Sequence, residues 1–266
     1  MKKLAALILF FSLLAPFGAE AALNTHSIDF GTPNTTKWLS HASAVGTTVG
    51  GNVTIEAWVN VTTLPTSPQQ DTIVRIQPGA TTPYVDYGIL YWNNGGTPTL
   101  RFSRGRMCVA NNFLDVAQTL TVGTWFHVAY TYDGTNGRGY VNGTLVVGPT
   151  AQSGDGASCG ADSFNIGANA GGGADTFLRG LVDDVRVWTT VRTATEINDN
   201  KSIQIDTATG LVGSWHLNNA LTDSSGGART LTNNGTASFS TNVPFAGTAD
   251  AVATSILSLV RSFWIW

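Results

Sequence analysis

An antiparallel two-sheet β-sandwich of the jelly-roll kind is the architecture this chain predicts, and three observations carry the prediction. Residues 123–146, GTWFHVAYTYDGTNGRGYVNGTLV, read as consecutive β-hairpins. Trp125 to Tyr132 is aromatic or β-branched at nearly every position, which favours strand. Asp133, Gly134, Asn136 and Gly137 supply turn chemistry, and Asn142-Gly143 is a strong two-residue hairpin signal. The same grammar of short strands and Gly- or Asn-rich turns extends over most of the 266 residues, which include 30 glycines. No long segment repeats its apolar residues every 3.6 positions, so helices have little place.

Each element follows from its own residues. Residues 23–30 (LNTHSIDF) predict a short opening strand, and 31–50 a Gly/Thr/Ser-rich loop interrupted by Lys37-Trp38-Leu39. In NVTIEAWVNV (52–61), Val53, Ile55, Ala57 and Val59 share one face by the strand period of two. Trp58 shares the other face with Glu56 and Asn60, so that face should be covered as well. Residues 71–77 (DTIVRIQ) predict a strand, then 85–92 and 99–103 a pair about the turn Asn93-Asn94-Gly95-Gly96. A loop holding Cys108 leads into the central hairpins. Residues 148–162 are a Gly/Ser loop with Cys159, and 163–168 the next strand. Within 176–188, Leu181, Asp183, Val185 and Val187 fall on one face by period two. Thr193 with Glu196 three positions on makes a capping box for the one credible helical turn, 193–198. Residues 211–217 and 230–239 supply closing strands.

The ends and the charge bound the function. Lys2-Lys3, the apolar run Leu4–Phe17 and Ala19-Glu20-Ala21 make up a basic region, an apolar region and an A-x-A cleavage site. This predicts a signal peptide over 1–21 and an exported protein, periplasmic, surface-bound or extracellular. The folded domain is then 22–245. An apolar tail, 246–266, has no role that its residues reveal, and its final run is too short to span a bilayer. A net charge of −3 without a basic cluster argues against nucleic acid as a partner. Cys108 and Cys159 are the two cysteines, and in an exported chain they are expected to pair.

Catalytic signatures fail one by one. Glycoside hydrolysis needs two carboxylates facing one cleft. The three glutamates are Glu20, Glu56 and Glu196, and Glu56 has no carboxylate two or four residues on. Gly156-Ala157-Ser158-Cys159-Gly160 has the G-x-S-x-G spacing but no helix after it, which a nucleophile elbow requires. The four histidines are scattered and no zinc pattern occurs. Aromatic residues favour binding instead. Tyr84, Tyr87, Tyr91 and Trp92 crowd one hairpin beside Asn93 and Asn94. Rings can pack on sugar C–H faces while amides bond hydroxyls.

Several segments together resemble a known family. IEAWVN (55–60), GTWFHVAYTYDG (123–134), YVNG (140–143), FNIG (164–167) and GLVDDVRVWTTVRTATEI (180–197) are similar in order and spacing to a bacterial laminin G-like domain. That domain is a jelly roll of the concanavalin A-like lectin/glucanase superfamily, and GLVGSWHLNNALTDSSG (210–226) resembles its closing piece. The resemblance implies two packed antiparallel sheets and a binding role toward a glycan or polysaccharide, or toward an envelope or surface protein. It also implies calcium at the rim, with Asp183 as a ligand. The usual F-D-G-x-x-D-Y ligand motif reads FGTPNTTKWL here, so Asp29, Asn34 and backbone carbonyls would substitute. It implies core positions for Trp58, Trp125, Trp188 and Trp215.

Overall fold

In the computed structural model, the described residues are 23–32, 36–43, 45, 51–78, 87–106, 110–152, 162–169 and 176–246. They form two antiparallel sheets packed face to face. The expected signal peptide and most of the apolar tail lie outside them, as do Cys108, Cys159, Asn34 and Tyr84.

The first sheet contains β1 (Ser27–Asp29), β3 (Val53–Val61), β8 (Trp125–Tyr132), β9 (Asn136–Val141), β10 (Thr144–Ala151), β12 (Gly180–Trp188), β13 (Leu211–Trp215) and β15 (Ser238–Ser240). Its order is β10-β9-β8-β3-β12-β1-β15, with β13 also paired to β12. The second contains β2 (Trp38–His41), β4 (Gln70–Pro78), β5 (Tyr87–Asn94), β6 (Thr97–Arg106), β7 (Ala110–Ala117), β11 (Asp162–Ile166) and β14 (Thr232–Asn234). Its order is β14-β2-β11-β4-β5-β6-β7.

Alternation builds the core. Val53, Ile55, Ala57, Val59 and Val61 of β3 face Ile89 and Tyr91 of β5, Leu100 and Phe102 of β6 and their neighbours across the sandwich, and all are buried. Burying these side chains is the main favourable term, about 1.5–3 kcal/mol for each large one. The turn after β5 needs Gly95 and Gly96, both at positive φ, and Asn93 Oδ1 braces it by accepting the Gly96 N–H at 2.6 Å.

The outer face of the first sheet is covered as Glu56 and Trp58 foretell. Helix α1 (Ala194–Asn200) begins with the expected capping box: Thr193 Oγ1 accepts the Glu196 N–H and Glu196 accepts the Thr193 N–H. Its Ile197 packs on Ala129 and Tyr140. The Asn200 carbonyl accepts from Arg186, and the Lys201 carbonyl accepts from Trp58 Nε1.

Four expectations change. Trp38-Leu39, expected as an interruption of a loop, opens a true strand, β2. The expected loop after Arg106 is largely strand β7. Strand β10 continues to Ala151 through Gly148-Pro149. In β12 the period of two breaks: the register shifts between Asp183 and Arg186, and Asp184 has φ 43°. This bulge admits one extra residue, so Val182, Val185 and Val187 all reach the core while Asp183 does not.

Candidate functional site

Acidic residues are what cleavage of a glycosidic bond would require. Glu56 on β3 lies under α1 with Arg186 of β12, His127 of β8 and Trp188. Trp188 Nε1 donates to Glu56 Oε1 at 2.8 Å, Arg186 Nε is 3.4 Å from Oε1, and His127 Nε2 is 3.4 Å from Oε2. Burial pushes the carboxyl up, but Arg186, His127 and Trp188 more than offset that and hold it at about 2. Arg186 also reaches Asp184 at 3.1 Å. These side chains are sealed and brace the sheet beneath α1.

Asp183 is fully buried. Its Oδ2 accepts from Asn24 Nδ2 and its Oδ1 from the Asp184 N–H, both at 2.8 Å. Burial pushes its carboxyl well above the usual carboxylate range. Asp29 Oδ1 accepts the Gly31 N–H at 2.7 Å in a local turn. Calcium needs six to eight oxygens with free lone pairs. Among the described residues no group of three His, Cys, Asp or Glu side chains is placed to hold a metal. Asp183 and Asp29 thus accept from internal donors, and Asn34 lies outside the described residues.

The aromatic hairpin divides between two faces. Tyr87 and Tyr91 point into the core with Ile89, correcting the expectation that they line a surface. Each hydroxyl is used there: Tyr87 donates to the Val45 carbonyl at 2.6 Å, and Tyr91 accepts the Leu120 N–H at 3.1 Å. Trp92, one residue on, faces out and is half-buried. Asn93 braces the hairpin tip and donates to the Pro65 carbonyl, and Asn94 is exposed. Tyr84 belongs to the connection from β4 to β5, outside the described residues. Trp58, Trp188 and Trp215 are buried as expected; Trp125 is only half-buried, its Nε1 donating to Asn242 at 2.9 Å.

The outer face of the second sheet carries the surface that sequence reasoning missed. Cross-strand partners share a face. One row runs through all seven strands as Thr232, Ser40, Asn165, Arg75, Gly88, Ser103 and Phe113. Six interstrand spacings of ~4.8 Å make it roughly 29 Å long. A second row joins Thr72, Leu90, Arg101 and Asp115.

At the β7 side, the Arg101 guanidinium is sandwiched between the rings of Trp92 (4.1 Å to the centroid) and Phe113 (3.9 Å). Asp115 fixes it through two 2.8 Å hydrogen bonds. Phe113 remains 44% exposed. The chain's own contacts hold this stack in place. Farther along, Arg75, Ser103 and Thr72 are buried, and Arg75 Nε, Ser103 Oγ and Thr72 Oγ1 have no hydrogen-bond partner. Among the described residues Asp115 is the one carboxylate on this face. Asp71, also on β4, points inward to a 2.6 Å ion pair with Arg179, and burial raises its carboxyl to about 6 against the pull of that arginine.

Comparison with known proteins agrees with this architecture. The family model described as the concanavalin A-like lectin/glucanases superfamily matches residues 33–198, more than half of the chain. A candidate carbohydrate binding protein from Bacteroides ovatus ATCC 8483 superposes with a TM-score of 0.60 at 21% identity. The match covers 85% of this chain and 62% of that one, so the chain spans less than two thirds of that protein's length. A heptameric SAP-like pentraxin from Limulus polyphemus superposes with a TM-score of 0.52 at 18% identity, over 67% of this chain and 82% of that one. These likenesses are likenesses of fold. No curated protein matches the sequence. The matched span and the two packed sheets make this chain a laminin G-like member of the concanavalin A-like lectin/glucanases superfamily.

Proposed function

We propose that this chain is an exported, non-catalytic module that binds carbohydrate on the outer face of its seven-stranded sheet. The observation that carries the reading is the composition of that face. It presents the Thr232 and Ser40 hydroxyls and a clamped aromatic stack, with one described carboxylate already neutralised by Arg101. Aromatic rings and neutral hydrogen-bonding groups suit sugars. Two carboxylates would be needed to cleave them. The Bacteroides protein described as a candidate carbohydrate binding protein lends support, and so does the superfamily, which includes lectins as well as glucanases. Export rests on the signal-peptide pattern of residues 1–21. Among the described residues no helix is long and apolar enough to cross a membrane, a statement that says nothing of β-barrels.

The test is retention on a panel of insoluble polysaccharides, with released reducing ends measured in the same tubes. Retention without release is the expected result. Release of sugar would overturn the non-catalytic reading. A folded protein that binds no polysaccharide would overturn the carbohydrate reading and turn attention to an envelope or surface protein as partner.

A further inference from the structure

Arg75 occupies the middle of the long cross-strand row, between Asn165 and Gly88. Its side chain is 5% exposed, yet it makes no ion pair with any described carboxylate, and its Nε has no acceptor. Buried arginines are normally paired, because an uncompensated charge out of water is costly. Arg101, Arg138, Arg179, Arg186, Arg192 and Arg229 each have a carboxylate partner within 3.4 Å. Arg104, also buried without a described carboxylate, lies over the Tyr87 and Tyr132 rings instead, a partner that Arg75 lacks among the described residues. Burial alone lowers the Arg75 guanidinium to about 9, with no anion pulling it back. The groups around it are neutral: Asn165 beside it on β11, and the unpartnered hydroxyls of Ser103 and Thr72 on the same face.

Resting on the carbohydrate reading above, we infer that this face takes an acidic glycan, with Arg75 receiving the carboxylate of a uronic-acid-type sugar. A guanidinium offers a planar fork that matches a carboxylate with two parallel hydrogen bonds. The Trp92–Arg101–Phe113 stack, where Phe113 is open to solvent, would lie along the same chain of sugars. One unneutralised cation on the described face matches one carboxylate per bound segment. A densely phosphorylated ligand would call for more.

The experiment compares polygalacturonate with its fully methyl-esterified form, using the full chain and Arg75→Gln. Esterification removes the ligand's charge without touching the protein. Arg75→Gln removes the guanidinium without orphaning a partner, and circular dichroism checks that it folds. Unmodified protein is expected to bind free polygalacturonate at least about tenfold more tightly than the ester, and Arg75→Gln to abolish that difference. Equal affinity for acid and ester, or an acid preference that survives Arg75→Gln, overturns the inference while leaving carbohydrate binding in place. Binding of poly-glutamate with no binding of any polysaccharide overturns both and identifies an acidic protein as the occupant.

Discussion

Replacing Glu56 with glutamine should cost this domain a measurable share of its stability without touching any binding surface. The carboxylate sits under α1 with Arg186 3.4 Å away and the Trp188 indole donating to it at 2.8 Å. Held at about 2 against an ordinary 4.5, its ionised form is favoured in the folded state. That difference corresponds to about 3 kcal/mol, at ~1.4 kcal/mol per tenfold. Because the folded value is depressed, this stability is fully present above about pH 4.5 and is lost as pH falls toward 2. Glutamine also strips Arg186 of one of its two carboxylates and leaves Asp184 as its remaining acidic partner. For a domain of this size, 1 kcal/mol moves Tm by about 2–4 °C, so Glu56→Gln should lower Tm by roughly 6–12 °C at pH 7. Melting followed by circular dichroism from pH 7 to pH 3 is the assay. The parent should lose stability between pH 4.5 and 3 more steeply than the variant. Equal Tm at pH 7, or parallel acid profiles, would refute the brace.

Other outcomes follow from the same structure. Asp183→Asn should raise Tm at pH 7, because burial holds that carboxyl well above its ordinary value and ionising it works against the fold. The folded value is raised, so the penalty is absent at low pH and grows as pH rises above about 4; added calcium and chelator should melt alike, and a Tm that climbs with calcium and falls on Asp183→Asn would restore the ion. Thr193→Ala should lower Tm by a few degrees, since losing a capping side chain costs about 1 kcal/mol and α1 seals the Glu56 group; an unchanged melt would contradict that role. Cys108 and Cys159 lie outside the described residues, and their expected bridge closes a loop of about 50 residues, worth up to roughly 4 kcal/mol, so reductant should lower Tm if the bridge is present. Equal melting with and without reductant would remove it from the account.

Much of the fold was legible because it is local. The strand at Trp125–Tyr132, the turns at Asn93–Gly96 and Asn142-Gly143, and the Thr193/Glu196 cap each announce themselves within a few residues. The second covered face of β3 was legible too, since Trp58 stands beside Glu56 and Asn60. Strand β7 was hidden because ANNFLDVA carries two asparagines directly after its first residue, and it pairs along its length with β6. The bulge at Asp184 was hidden because V-D-D-V reads equally well as unbroken alternation. The tyrosines could have been placed: Tyr87 and Tyr91 share parity with Ile89, and that parity assigns them to the core and Trp92 to the surface. The proposed binding face was not readable in any segment. Its long row takes one residue from each of seven strands, and only the register brings Asn165, Arg75 and Phe113 into line. That Arg75 would lack a partner depends on that same register.

The most direct test of the central claim is the affinity of the folded chain for its best-bound polysaccharide, measured beside Phe113→Ala and Leu145→Ala. Both residues are exposed apolar side chains, Phe113 on the outer face of the seven-stranded sheet and Leu145 on β10 of the other sheet. Phe113→Ala should weaken binding by about tenfold, the loss of one ring's packing near 1.4 kcal/mol, and Leu145→Ala should leave it unchanged. Binding that ignores Phe113→Ala and falls with Leu145→Ala would move the site to the other sheet and contradict the account.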